Sequence, residues 1–209
     1  AGFSPQAGAS VLSATNEAVG SLAERLRAKV AGAGDRRVWF GHAGSDANET
    51  VARAVVAATG RPRIITFTGS YHGGTAGSIA VSGHSVQEHA DKADGLISLH
   101  YPDPYRPVEG DATGEAVLKT LQQRFETDSL PDQIAAIFIE PIQSDGGLIV
   151  PPPGFMKALS ALCQQHGILV VSDEVKVGIG RTGRFGCYEY EDFVPDIVTL
   201  GKGLGGGLP

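Results

Sequence analysis

Lys202 lies in the run Ile197-Val198-Thr199-Leu200-Gly201-Lys202-Gly203-Leu204-Gly205-Gly206-Gly207, an amine at the end of an apolar segment with glycine on both sides. Glycine gives no side-chain cover, so a bulky ligand can approach such an amine closely. An amine partly withdrawn from water loses basicity and becomes a nucleophile or base near neutral pH. That chemistry suits a Schiff base. A surface lysine in a flexible glycine-rich tail fits the same residues.

Other capable residues follow apolar runs in the same manner. Asp173 and Glu140 end segments that read as fully buried, where an unpaired carboxylate is costly and needs a cationic or hydrogen-bonding partner. Structural salt bridges and catalytic work both meet that need. Gly44-Ser45 precedes an amphipathic stretch. Free N–H groups at a helix start plus a hydroxyl make a phosphate cradle, although N-capping by Ser45 or Asp46 uses the same groups. Tyr71-His72, set between glycines, offers an aromatic plane that could stack on a flat heteroaromatic ligand, or serve as ordinary half-buried packing. His84, His89, His100 and His166 show no ligand spacing with acids or cysteines, so no metal site is expected.

Gly178-Ile179-Gly180-Arg181-Thr182-Gly183 fits the G-x-G-x-x-G dinucleotide pattern. In that motif the glycines follow a strand directly and open a helix. Here Glu174 to Val177 intervene and no helical pattern follows, which favours a turn packed against the site. A NAD-dependent oxidoreductase built on this loop is the rival reading from another class, and a non-catalytic interaction module is a second.

The elements that must position these residues alternate between short apolar runs and amphipathic stretches. Strands are predicted at Val38-Trp39-Phe40, Ile64-Ile65-Thr66-Phe67, Leu96-Ile97-Ser98-Leu99, Ile134 to Ile139, Ile168-Leu169-Val170-Val171 and Ile197 to Leu200. Helices are predicted from about Asn48 to Thr59, near Thr75 to Val81, and over Gly114 to Phe125 and Gly154 to Gln165. Continuous rather than alternating apolar strands, joined by helices, indicate an α/β sheet covered on both faces. Ligands of such sheets bind beyond the carboxyl ends of the strands, where all these candidates fall.

Composition narrows the classes. The chain has 209 residues, 42% hydrophobic and 19% charged, as expected of an ordinary globular protein. Its formal net charge of −6 argues against nucleic acid as a partner. No run approaches the ~20 apolar residues of a membrane span. Ala1 to Gln6 carry no signal-peptide pattern, and the two cysteines, Cys163 and Cys187, make no disulfide framework, so a cytoplasmic location is expected. The 29 glycines are about twice the usual ~7% share and cluster beside apolar runs, as many tight strand-to-helix turns require.

Taken together, Gly44-Ser45-Asp46-Ala47-Asn48-Glu49, Ser70-Tyr71-His72-Gly73, Glu140-Pro141-Ile142-Gln143, Asp173-Glu174-Val175, the Gly178–Gly183 loop and Pro195 to Lys202 resemble the class III (ω-type) pyridoxal-phosphate aminotransferases of fold type I. The resemblance implies a three-layer α/β/α large domain with a mostly parallel sheet. It implies pyridoxal 5′-phosphate as cofactor, bound by Lys202 as a Schiff base. Gly44 and Ser45 would hold the phosphate, Tyr71 and Val175 would cover the two ring faces, and Asp173 would pair with the pyridinium nitrogen. His72, Glu140 and Lys176 join the cofactor-binding set, and the catalytic pair is Lys202 and Asp173. The implied reaction moves an amino group from an amino acid or amine to a 2-keto acid, in a homodimer or higher homo-oligomer. The Ser144 to Ile149 stretch also looks like dialkylglycine decarboxylases of the same class, which keeps decarboxylation-linked transamination open.

Two positions depart from the family pattern. Lys176 stands where the family usually has glutamine contacting the phenolic oxygen; its amine either makes that contact or turns away. Asp145 stands where many members carry a gating glutamate, which puts ornithine- or 4-aminobutyrate-like donors in doubt. Members are about twice this long, so residues 1–209 are expected to be part of the large domain, without an N-terminal segment and the small C-terminal domain.

Overall fold

The computed structural model describes residues 17–30, 32 and 36–207. The chain divides into two compact units, Ala1–Phe40 and Gly41–Pro209. In the first, helix α1 (Glu17–Lys29) buries Leu26. Residues 36–40 form no strand, and Trp39 is 56% exposed, contrary to the expectation for Val38-Trp39-Phe40. Strand propensity describes a fit to a half-buried pleated surface, and these residues pair with no strand to supply one.

The second unit is built on five parallel strands in the order β2-β1-β3-β4-β5. They are β1 (Arg63–Phe67), β2 (Ile97–Leu99), β3 (Ile134–Ile139), β4 (Leu169–Asp173) and β5 (Ile197–Thr199). Every residue of β3 is buried, which is why its sequence shows no polar alternation. Partners in register share a face, so Ile64, Ala136, Phe138 and Val171 line one side while Ile65, Ile137 and Val170 line the other.

Helix α2 (Gly44–Thr59) packs on β3 and β5 and joins the cluster of Ala52, Val55, Ile64, Ala136, Phe138 and Val171. It begins at Gly44, four residues before the expected start. Helix α3 (Ala76–Ala80) contacts α2, and Val81 at its end enters the same cluster. Helix α4 (Glu115–Thr127) buries Val117, Leu121 and Phe125. Helix α5 (Phe155–Gln165) packs on β4, and the Phe125 ring lies 4.9 Å from His166 at its end.

The strand order places a topological switch between β1 and β3: the chain leaves β1 toward β2 on one side and returns to β3 on the other. The crevice beyond the carboxyl ends at such a point is the natural ligand site. At the opposite edge, the Arg61 Nη1 faces four carbonyls, those of Pro131, Ile134, His166 and Gly167, at 2.9 to 3.3 Å. It ties together the turns that lead into β3 and β4.

Candidate active site at the carboxyl edge

Glu140 leaves β3 at the switch point and is buried. Its Oε1 accepts from the Tyr71 N–H at 3.0 Å, bridging the ends of β3 and β1. Its Oε2 accepts from the N–H and Oγ of Ser144, both at 3.1 Å, and so closes its own loop. Burial pushes the carboxyl upward, opposed by the nearby His72 and the Tyr71 N–H. Glu140 thus meets its partner requirement with N–H and hydroxyl donors rather than with a salt bridge.

Asp173 closes β4 and is 4% exposed. Its Oδ2 accepts from Asn48 Nδ2 at 2.8 Å and lies 2.7 Å from His72 Nδ1. A carboxylate only accepts, so the imidazole donates through Nδ1. Its Oδ1 accepts from the Val175 N–H at 3.1 Å and from Thr199 Oγ1 at 3.4 Å. The expected partner of this buried acid is therefore a set of donors drawn from α2, the β1 loop, its own turn and β5.

Asn48 is the polar residue of this frame whose type alone suggests no role. Its amide also donates to the His72 carbonyl at 2.8 Å, so it fixes the acid and the histidine together. The signal was its register: Asn48, Ala52 and Val55 form the buried stripe of α2, and a polar residue on that stripe must have buried work. Asn48 Oδ1 and His72 Nε2 are buried without a hydrogen-bond partner among the described residues.

The start of α2 meets the β4 and β5 turns at van der Waals range. A Cβ on Gly44 would lie 2.6 Å from Val175 Cγ1. One on Gly201 would lie 3.1 Å from the same atom and 3.4 Å from the Gly44 backbone. Only glycine permits this convergence, which brings Gly44, Val175 and the residue before Lys202 together. Ser45 Oγ accepts from the Gly74 N–H at 3.0 Å, and a Cβ on Gly73 would strike that oxygen at 2.5 Å. Tyr71 is half-buried, its ring edge-on to His84 at 6.2 Å.

Lys202 is exposed, and its amine makes no hydrogen bond or ion pair among the described residues. Partial withdrawal from water was expected, but its glycine neighbours provide no cover. Its φ is +43°, in the left-handed region that a non-glycine residue rarely takes.

Lys176 Nζ lies 3.7 Å from Asp145 Oδ1, so these two residues pair with each other. Their side chains are 37% and 43% exposed, and a pair so exposed contributes about 0–1 kcal/mol.

The 178–183 loop opens no helix. The Ile179 and Gly180 N–H groups donate to the carbonyls of Phe185 and Arg184, folding the loop on itself as a turn. Those N–H groups are not directed to a pyrophosphate, as a dinucleotide fingerprint requires. Among the described residues no group of three or more histidines, cysteines or acids could hold a metal ion. No described helix is long and apolar enough to cross a membrane.

The site has what a phosphorylated pyridine aldehyde needs. It holds a buried, fixed carboxylate and the open N–H groups of a 16-residue helix start beside a serine hydroxyl. Gly44 and Gly201 close on Val175, and the exposed Lys202 follows Gly201 directly.

The sequence profile described as Aminotransferase class-III matches residues 6–209. The chain is 36% identical to an isoleucine 2-epimerase of Lentilactobacillus buchneri and 38% identical to a 5-aminovalerate aminotransferase of Pseudomonas aeruginosa, each over 90% of its length. It covers 43% and 44% of those two proteins. Among solved structures it resembles the taurine:2-oxoglutarate aminotransferase of Bifidobacterium kashiwanohense, in complex with PLP and glutamate. The TM-score is 0.86 at 33% identity, over 95% of this chain and 46% of that one. The chain thus spans less than half the length of the relatives it matches.

Proposed function

This chain belongs to the class III aminotransferase family, and from that premise we propose that its protein is a pyridoxal-phosphate-dependent transaminase carrying an amino group from an amino acid or amine to a 2-keto acid. The observation that carries the reading is the buried Asp173 carboxylate, held at the switch-point edge by Asn48 and His72.

When bound, the cofactor supplies an electron sink for carbanion chemistry. Asp173 would face its ring nitrogen and keep that nitrogen protonated, with Asn48, His72 and Glu140 fixing the surrounding frame. Gly44 and Ser45 would receive the phosphate at the start of α2. Tyr71 and Val175 would flank the ring. Lys202 would hold the cofactor's carbonyl carbon, and its free amine would carry a proton to and from the reacting carbon.

Residues 1–209 are read as part of the cofactor-binding large domain, and the full-length protein as a homodimer. Leu148 and Val150, 72% and 58% exposed on the loop after β3, support a further surface packing there. The two free, buried thiols support a reducing compartment, the cytoplasm.

Full-length protein with added pyridoxal phosphate is expected to show a visible absorption band that Lys202→Ala abolishes, and to convert an amino donor only when pyruvate or 2-oxoglutarate is present. No band would sink the proposal. A band unmoved by every donor would favour a non-catalytic module instead.

A second reading is favoured by the 36% identity to an isoleucine 2-epimerase. Removal and return of a proton at one carbon uses the same Lys202 amine without net amino transfer. Inversion of an amino acid without any keto acid would identify it.

A further inference from the structure

Lys92 stands outside the site, half-buried on the segment that leads into β2, and its amine turns into the fold. It donates to the carbonyls of Ile79 at 3.1 Å and Ser82 at 2.9 Å. The Ala93 N–H beside it donates to the Ala80 carbonyl at 2.9 Å. Residues 92 and 93 thus cap the end of α3 from outside the helix. The last carbonyls of a helix have no partner within it, and a cation there also answers the helix dipole. With five residues, α3 is too short to hold itself, so this cap matters. Burial lowers the Lys92 pKa, so the ammonium gives up solvation to reach these carbonyls.

What the cap holds leads to the site. Ser82 Oγ donates to the Ser78 carbonyl at 2.8 Å and accepts from the His72 N–H at 2.9 Å. The His72 ring in turn donates to Asp173. Ser82, His72 and Asp173 are all buried, so none can trade a lost partner for bulk solvent.

We propose that Lys92 is a positioning residue for the site: by capping α3 it fixes Ser82, Ser82 fixes the His72 backbone, and the His72 ring sets where Asp173 meets the cofactor's ring nitrogen. The proposal rests on the transaminase reading. Lys92 grips Ser82 by its carbonyl, while the Ser82 hydroxyl grips His72. Freeing that carbonyl lets the peptide turn and carries the hydroxyl with it. Hydrogen bonds weaken steeply with misalignment, so the loss reaches Asp173 as a change of aim rather than of charge.

The test titrates full-length protein, freed of cofactor, with pyridoxal phosphate and with its deaza analogue, which has carbon in place of the ring nitrogen. Lys92→Met is expected to weaken pyridoxal phosphate roughly 10-fold, the scale of one hydrogen bond to a charged group, and the analogue by less than about 2-fold. Lys92→Arg, which still brings a cation to the carbonyls, should recover most of the loss. Ser82→Ala should give a similar loss, and the double variant no more than either alone. If Lys92→Met does not fold, Lys92→Gln keeps a donor without the charge and should show a smaller loss, again confined to pyridoxal phosphate. An equal loss for both ligands, as for a cap that only supports the fold, would overturn the inference. So would no loss for either ligand, or losses that add between Lys92→Met and Ser82→Ala. The parent's visible band reports on the transaminase reading separately. With the band present, these failures remove only the role of Lys92; without it, both readings fall.

Discussion

Asp173 and Glu174 are consecutive carboxylates held by different parts of the fold. Donors from α2 and the β1 loop converge on Asp173, whereas Glu174 turns to the segment after the 178–183 loop. Its Oε2 accepts from the Cys187 N–H at 2.8 Å, and its Oε1 from the Tyr188 N–H at 3.0 Å and Ser172 Oγ at 3.2 Å. Glu174 is fully buried, and burial is the largest influence raising its pKa from 4.5 to about 7. Between those values the folded protein holds a proton that the unfolded chain has released. Stability therefore falls as pH rises through that window, by on the order of 3 kcal/mol in total. Denaturant midpoints of the full-length protein from about pH 4.5 to about pH 8 should show that decline, and Glu174→Gln should flatten it. An unchanged slope in the variant would refute the assignment. In sequence, Asp173 and Glu174 look alike, and only the fold tells them apart.

At the scale of elements, the meeting of α2 with the β4 and β5 turns depends on two absent side chains. Gly44→Ala places a methyl 2.6 Å from Val175 Cγ1 and must push helix and turn apart. The expected cost is about 1–3 kcal/mol, with a parallel loss of cofactor affinity. Val175→Ala in the same chain should recover a good part of the stability, a coupling that a double-mutant cycle reads directly. Additive effects would mean the contact is not the cause. The strand pattern was legible because buried parallel strands write themselves as unbroken apolar runs, as in Ile134 to Ile139. Val38-Trp39-Phe40 misled because a short apolar run has the same composition whether or not a neighbour pairs with it. The early start of α2 escaped notice because glycine and serine disfavour helix, and packing of Gly44 against Val175 outweighs that local preference. The acid, the amine and the glycine cradle could be read from residue types. The linkage of His72 to Asp173, 101 positions apart, could not, because no local pattern encodes a contact across three strands.

Across the whole molecule, chemistry and anchoring occupy opposite edges of the sheet. The carboxyl edge collects Asp173, Glu140, Gly44 and the Lys202 turn. The amino edge is tied by Arg61, whose guanidinium faces the carbonyls of Pro131, Ile134, His166 and Gly167. Arg61→Ala is expected to cost about 1–3 kcal/mol of stability while leaving pyridoxal-phosphate affinity unchanged. Equilibrium unfolding and a cofactor titration on one preparation of full-length protein check both halves, and a matched loss of affinity would contradict the separation. Lys202 breaks this division of labour. At φ +43° its backbone is in a conformation that glycine takes freely and a lysine holds at a cost of roughly 1–2 kcal/mol. A library sorted for heat tolerance alone should therefore drift toward glycine at this codon, while one sorted for product should keep lysine. Divergence between the two populations would show where the chain gives up conformational ease to keep its amine.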